Sequence, residues 1–283
     1  YDDTKAIASG VMTTGEMVVL NDDGTVSVVA GFDVPEGVGT PEVFNSGPTA
    51  NISSTYDSAN NKVVISYRDT ANAYYGTAVV GTVSGDSISF GTPVVFNGAN
   101  TNLTATTYDP VNNKVVISYV DNSNSYYGTA ILGTVSGNSI TFGSPVVFNS
   151  GITSHHSITY DSVNNKVVIA YAGNSDYGTA IVGTVSGNSI VFGSPQVFNS
   201  GSTSHTSSTY DSANNKIVIS YRDVTGSYYG TAVVGTVSGD SISFGAPVVF
   251  NTGLTPQISS TYDPVSNKVV IAYKDNDNSS YGT

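Results

Sequence analysis

Along most of the chain, apolar positions come in short bursts separated by Gly, Asn, Asp and Ser, and none recurs at helical spacing. Within a burst the alternation is imperfect. In Lys62-Val63-Val64-Ile65-Ser66-Tyr67, residues Val63, Ile65 and Tyr67 form one face, while Val64 keeps the other partly apolar. A strand apolar on both faces belongs in a sheet covered on both sides. Four strands are predicted in this part of the chain: Ile52–Tyr56, Lys62–Tyr67, Gly76–Val83 and Ser87–Asn97, the last bent near Gly91. Between them, Asp57 is placed to accept bonds from the backbone N–H groups after it, and Asn61 tolerates a left-handed backbone. Gly85 supplies the positive φ of a tight turn.

The whole pattern then repeats. The pair Tyr56-Asp57 returns at Tyr108-Asp109, Tyr160-Asp161, Tyr210-Asp211 and Tyr262-Asp263, at steps of 52, 52, 50 and 52 residues. A fixed period of this size marks a solenoid, a propeller or an array. A four-stranded sheet packed between copies of itself is a propeller blade, and radial repetition leaves only short, protected edges. The expected fold is all-β: a β-propeller of about five four-stranded blades with an N-terminal β-hairpin segment. The first strand of each unit is built from small residues, from Ser53-Ser54-Thr55 through Ser259-Ser260-Thr261. That suits a crowded axis better than an exposed edge.

Residues 1–38 lie outside the repeats. Glu16–Leu20 and Thr25–Val29 flank Asn21-Asp22-Asp23-Gly24, which reads as a hairpin serving attachment or closure. Residues 39–283 form the repeat domain. It opens with a lone fourth strand, Gly39–Asn45, and its fifth unit stops where a third strand should begin. Two readings stay open: Lys5–Val11, which echoes Thr77–Val83, fills that gap, or the natural chain continues past Thr283.

Charge narrows the function classes. A net charge of −12 and a sequence pI of about 4.2 leave no basic patch for a nucleic-acid backbone. No apolar run reaches membrane-spanning length, which argues against membrane insertion. The absence of cysteine excludes disulfides and thiolate metal sites. Lys62, Lys114, Lys166, Lys216 and Lys268 recur at one turn and are read as solvating a hairpin end.

Comparing the five units separates two ends of the sheet stack. First-to-second and third-to-fourth turns share one end and are nearly constant. Second-to-third and inter-unit turns share the other, and they vary. Variable loops on a rigid scaffold are where binding residues concentrate, although neutral drift in exposed loops gives the same pattern. The candidate binding residues at the variable end are Asn51, Arg68, Tyr74, Tyr126, His155, His205, Arg222, Tyr228 and Gln257, with Leu103 completing the inter-unit series. In the tyrosine pairs Tyr74-Tyr75, Tyr126-Tyr127 and Tyr228-Tyr229, the second ring is expected in the core and the first at the loop end, where it can stack on a sugar or a protein.

Other chemistry reads poorly. His155 and His205 occupy equivalent places in adjacent units, but no carboxylate completes a metal set, so no metal and no cofactor are expected. Asp275-Asn276-Asp277-Asn278-Ser279 and Asn21-Asp22-Asp23-Gly24 lack the Gly and closing Glu of a calcium loop and read as turns. Glycosidase chemistry needs two carboxyls in distinct environments, and the repeated aspartates, Asp57 through Asp263, are equivalent. No nucleophile elbow or phosphate loop is present. The chain is expected not to be an enzyme.

The block Tyr56-Asp57…Asn61-Lys62-Val63-Val64-Ile65, followed by Tyr75-Gly76-Thr77-Ala78 and Pro93-Val94-Val95-Phe96-Asn97, resembles repeats in virion- and tail-associated proteins of marine bacteriophages. Ala6–Gly10 with Asp23-Gly24-Thr25-Val26 is similar to the opening of such proteins. The resemblance covers nearly the whole chain and carries no catalytic residues. It implies a non-enzymatic virion part, such as a tail fibre, decoration or receptor-binding component. Its N-terminal segment would contact other virion proteins, and its propeller a host surface glycan or protein. The alternative is a glycan-binding, lectin-like propeller, viral or secreted; a secreted glycoside hydrolase ranks below both. A homo-oligomer is compatible with each.

Overall fold

The computed structural model describes residues 39–283 together with the strands Ile7–Ala8, Val18–Leu20 and Thr25–Val28. Contacts divide the chain into two units, Tyr1–Thr40 and Pro41–Thr283. In the first, Val18–Leu20 and Thr25–Val28 pair antiparallel, and Ile7–Ala8 lies parallel to Thr25 and Val26. The turn Asn21–Gly24 falls outside the described residues. Of Lys5–Val11, expected as one way to fill a gap in the fifth repeat, only Ile7–Ala8 is among the described residues, as the edge strand of this small sheet; the rest of that expectation lies outside them.

The second unit is all-β, with no α-helix among the described residues and a single 3-10 turn at Asn174–Asp176. Its first repeat consists of Thr49–Asp57, Lys62–Asp69 and Tyr75–Ser84, paired antiparallel in that order. The outer strand comes in two pieces, Ser87–Phe90 and a strand beginning at Val94. The break falls at Gly91-Thr92-Pro93, where proline removes a ladder donor. Val94–Asp109 then runs on without interruption, pairing first with Tyr75–Ser84 and then with Lys114–Asp121. The outer edge of one sheet thus becomes the inner strand of the next. Gln196–Asp211 does the same between the third and fourth repeats.

Both faces of the second and third sheets are used. Val115, Val116 and Ile117 are all buried, as are Val167, Val168 and Ile169. This accounts for the imperfect alternation in the sequence. Successive sheets are joined by an aromatic relay. Phe96 lies over Gly76 of its own sheet, where an added Cβ would fall 2.4 Å from the ring. The same ring meets Tyr119 and Phe142 of the next repeat at 5.2 and 5.8 Å. Phe44, Phe148 and Phe198 repeat the contact on Tyr67, Tyr171 and Tyr221. Edge-on and tilted pairs of this kind add about 0.5–1.5 kcal/mol each beyond area burial.

The small inner-strand residues face the neighbouring inner strand. Ser53 Oγ lies 2.9 Å from Thr106 Oγ1 and accepts from Thr106 N, and Ser207 and Ser260 repeat the pair. Four-stranded sheets set face to face, with small inner strands side by side, are the arrangement of a β-propeller.

At the constant end the turns behave as expected. Asp57 Oδ1 accepts from Ala59 N and Asn60 N, Asn61 is left-handed at φ 52°, and Gly85 has φ 57°. The lysines require a correction. Lys62 Nζ donates to Thr82 Oγ1 of its own repeat and to Asn138 Oδ1 of the next; Lys114 bonds Thr134 and Asn188 likewise, and Lys166 bonds Thr184 and Asp240. These three latch neighbouring repeats together rather than solvate a hairpin, while Lys216, among the described residues, bonds Thr236 of its own repeat only.

The fifth repeat departs from the pattern. Ser259–Asp263 pairs with Lys268–Ala272, and Lys274–Asp275 with Tyr281–Gly282, as two separate ladders. Val234 of the fourth repeat is 45% exposed, where its counterparts Val80 and Val182 are at 0%. No strand ladder joins the first repeat to the fifth among the described residues.

Candidate binding surface

The variable end is shaped by two backbone devices, one on the inner strand and one on the loop. On the inner strand the register slips once per repeat, between Ala50 and Ser53, Asn102 and Ala105, Ser154 and Ser157, and Ser204 and Ser207. Inside each slip sits a left-handed residue: Asn51 (φ 52°), Leu103 (47°), His155 (46°) and His205 (50°); Gln257 (54°) holds the same place in the fifth repeat. A bulge of this kind re-aims a side chain, and bulges gather at sheet rims and functional sites. Asn51 and Asn102 side chains bond each other across the first two repeats, and the Thr206 hydroxyl donates to the His155 carbonyl across the third and fourth.

On the loop, two successive left-handed residues end the second-to-third connection: Ala73-Tyr74, Ser125-Tyr126 and Ser227-Tyr228. Tyr75 N donates to Asn72 O at 2.9 Å and Tyr127 N to Asn124 O at 3.0 Å, closing turns of type I′. Tyrosine is rarely held at φ above zero; here the turn imposes it, since Ser175-Asp176 and Ser279-Ser280 are left-handed at the equivalent places. Tyr74, Tyr126 and Tyr228 are all about half exposed. The expectation for the second ring is corrected. Tyr75, Tyr127 and Tyr229 are only partly buried, because each opens a strand at the rim. The core tyrosines are Tyr67, Tyr119, Tyr171 and Tyr221.

These devices assemble two stations. In the first, the Arg68 guanidinium stands 5.2 Å from the Tyr74 ring centroid and donates to Asn102 Oδ1 at 3.3 Å, beside Asn51. In the second, Arg222 stands 5.6 Å from the Tyr228 ring, and its Nε donates to Ser204 Oγ at 2.8 Å. The different anchors follow from the sequence. Arg68 has Ala50 beside it in its own sheet and so reaches to Asn102 in the next repeat. The residue equivalent to Asn102 beyond Arg222 is Pro256, and Arg222 turns back to Ser204. His155 and His205 meet at 5.2 Å between ring centroids next to this second station. Partial loss of surrounding water lowers the pKa of both, with the Arg222 charge adding to the effect; His155 keeps an exposed side, and His205, half-buried, is held at about 4. Their imidazoles are therefore neutral near pH 7. No group of three metal-ligating side chains occurs among the described residues.

The remaining predicted residues do not join these stations. Tyr126 stands without a cation, because Val120 replaces the arginine. Gln257 lines an open depression of about 360 Å³ with Lys274 and Tyr273, on the uncovered side of the fifth repeat. The Asp275 carboxylate accepts from Asp277 N, as a turn residue does. Sequence reasoning missed Asn102 and Ser204, the two side chains that seat the guanidiniums. Their common place, one residue before each variable inter-unit position, is the signal that marks them.

No protein-family model matches the chain, and no curated protein sequence matches it. Solved structures do. AofleA from Arthrobotrys oligospora is similar at 10% identity and a TM-score of 0.52, over 80% of this chain and 66% of that one. The chain therefore spans just under two thirds of the length of that protein. SapL1 lectin, solved in complex with alpha methyl fucoside, is similar at 11% identity and a TM-score of 0.51, over 82% and 75% of the two chains. An exo-beta-1,3-galactanase from Phanerochaete chrysosporium matches at 10% identity and a TM-score of 0.50, over 86% and 64%. At such identities the likeness concerns the fold: the repeat unit is built like proteins of which one is a lectin and one a glycanase.

Proposed function

We propose that the protein is a glycan-binding, lectin-like β-propeller of about five blades that holds saccharides at the variable end of its repeats. The observation that carries this reading is the pairing, in two repeats, of a half-exposed left-handed tyrosine with a guanidinium and an amide or hydroxyl. A sugar needs this combination: an aromatic plane for its apolar face and fixed polar groups for its hydroxyls. The fold shared with SapL1 supports it. No general acid and base are paired at either station, since the nearby Asp69 and Asp223 carboxylates serve their own loops; binding without turnover is the simpler role. A virion part rests on the sequence resemblance alone, and an extracellular location, on a particle or secreted, goes with either role.

Binding of the full chain to a glycan array tests the proposal. The expected result is retention of a defined set of saccharides, lost when Tyr74 and Tyr228 are both replaced by alanine. Failure to retain any saccharide would overturn it, as would an identical set on the double variant.

A further inference from the structure

The chain contains only two arginines, Arg68 and Arg222, among 21 acidic residues. Both occupy the same place in the repeat, at the end of the second strand on the variable rim. With so many carboxylates available, a structural arginine would be expected to take one. Neither does: among the described residues the only salt bridge is Lys166–Asp240, at the other end of the repeats. The carboxylates next in sequence are turned away. Asp69 Oδ1 accepts from Ala71 N and Asn72 N, and Asp223 Oδ1 accepts from Gly226 N. Each guanidinium instead rests half-buried on a tyrosine and is held by one neutral oxygen. The Arg68 Nε is shielded from solvent and has no partner within the described chain.

A partly desolvated guanidinium with free donors is a receptor for a planar or tetrahedral oxyanion, which it grips with two parallel bonds. Resting on the lectin reading above, we infer that the two arginine stations take an anionic saccharide, its carboxylate or sulfate gripped by the guanidinium and its ring face set on the adjacent tyrosine. The overall charge of −12 makes this placement more telling, because a surface that repels anions elsewhere concentrates its selectivity where the charge reverses. The neighbouring histidines do not supply that reversal at neutral pH, so it falls to the arginines. In the fifth repeat Lys274 occupies the equivalent place and lines the depression beside Gln257, a weaker point-charge version of the same feature.

Calorimetric titration of the full chain with three probes tests the inference: tri-galacturonate, a sulfated galactan oligosaccharide and neutral galactotriose. At least one acidic probe is expected to bind about tenfold or more tighter than the neutral one, as charge-assisted bonds require. Which acidic probe wins tells carboxylate from sulfate recognition. R68M with R222M should abolish that preference, while R68K with R222K should restore part of it, since lysine keeps the charge and loses the fork. The lysine pair also guards against a methionine pair that fails to fold. Equal or tighter binding of galactotriose, or an acid preference unchanged in the methionine pair, would overturn the inference and leave the lectin reading standing. If the glycan array is also blank, both fall.

Discussion

His156 is the residue whose chemistry most directly couples the fold to solution conditions. Its ring is buried beside Phe148, with Nε2 at 3.2 Å from the Ser118 carbonyl and Nδ1 without a partner. Burial pulls its pKa from 6.5 down to about 4. Between those values the unfolded chain binds a proton that the folded chain does not, so stability rises with pH across the window. The contribution is complete above about pH 6.5 and is lost on acidification toward pH 4, by roughly 2–3 kcal/mol. Urea denaturation of H156Q is expected to show a flatter acid limb between these values than the parent; superimposable limbs would refute the assignment. The depressed carboxylates, Asp211, Asp240 and Asp263, act separately, because their contribution is lost only as the pH falls through values below 3.8. At this scale the sequence was readable where a residue acts on its own backbone. Asp57 and Asn61 could be assigned because aspartate turns and left-handed asparagines are local chemistry. Leu103 and Gln257 could not, since no residue type announces a left-handed bulge that the packing of two sheets imposes.

At the level of the element, the bend of the outer strand decides how closely repeats pack. An alanine Cβ at Gly91 would lie 1.8 Å from the Asn138 carbonyl oxygen of the next repeat, and at Gly193 1.9 Å from that of Asp240. At Gly98, farther along the same strand, an added Cβ meets nothing within 4 Å. The contrast sets a matched pair: G91A is expected to destabilise by about 1–3 kcal/mol through backbone overpacking, and G98A by no more than about 0.5 kcal/mol. Thermal melts of the two variants check this, and equal melting points would contradict the described contact. The bend itself was legible from Gly91-Thr92-Pro93. Its purpose was not, because the group it makes room for lies 47 residues away and belongs to another sheet. The latch lysines were misread for the same reason: a turn seen in isolation has only water to bond, whereas Lys62 in place has Asn138.

For the whole repeat unit, burial is uneven from end to end. Inner repeats have both sheet faces covered, while in the fifth Val270 is 53% exposed where its counterparts Val116 and Val168 are at 0%. Amides of Lys268–Ala272 are expected to exchange hydrogen much faster than those of Lys114–Asp121 and Lys166–Ala172, because local opening there sacrifices little apolar contact. Uniform protection along the repeats would count against the described packing. The period made the sheet architecture readable from sequence, since each repeat states how it packs on the next. It says nothing of how the first and last repeats meet their surroundings, because that depends on contacts the repeat does not encode. The candidate surface was proposed as a region from the contrast between constant and variable turns, but the pairing of Arg68 with Asn102 became visible only once two repeats stood side by side.

The uninterrupted strand Val94–Asp109 has a mechanical corollary. A tug applied at the two termini would load that segment lengthwise, and it is laced to the sheets on both its sides. The first and second modules would therefore rupture together, in one large step, and not peel apart in turn. Such coupling spreads tension across neighbouring modules before either of them gives way.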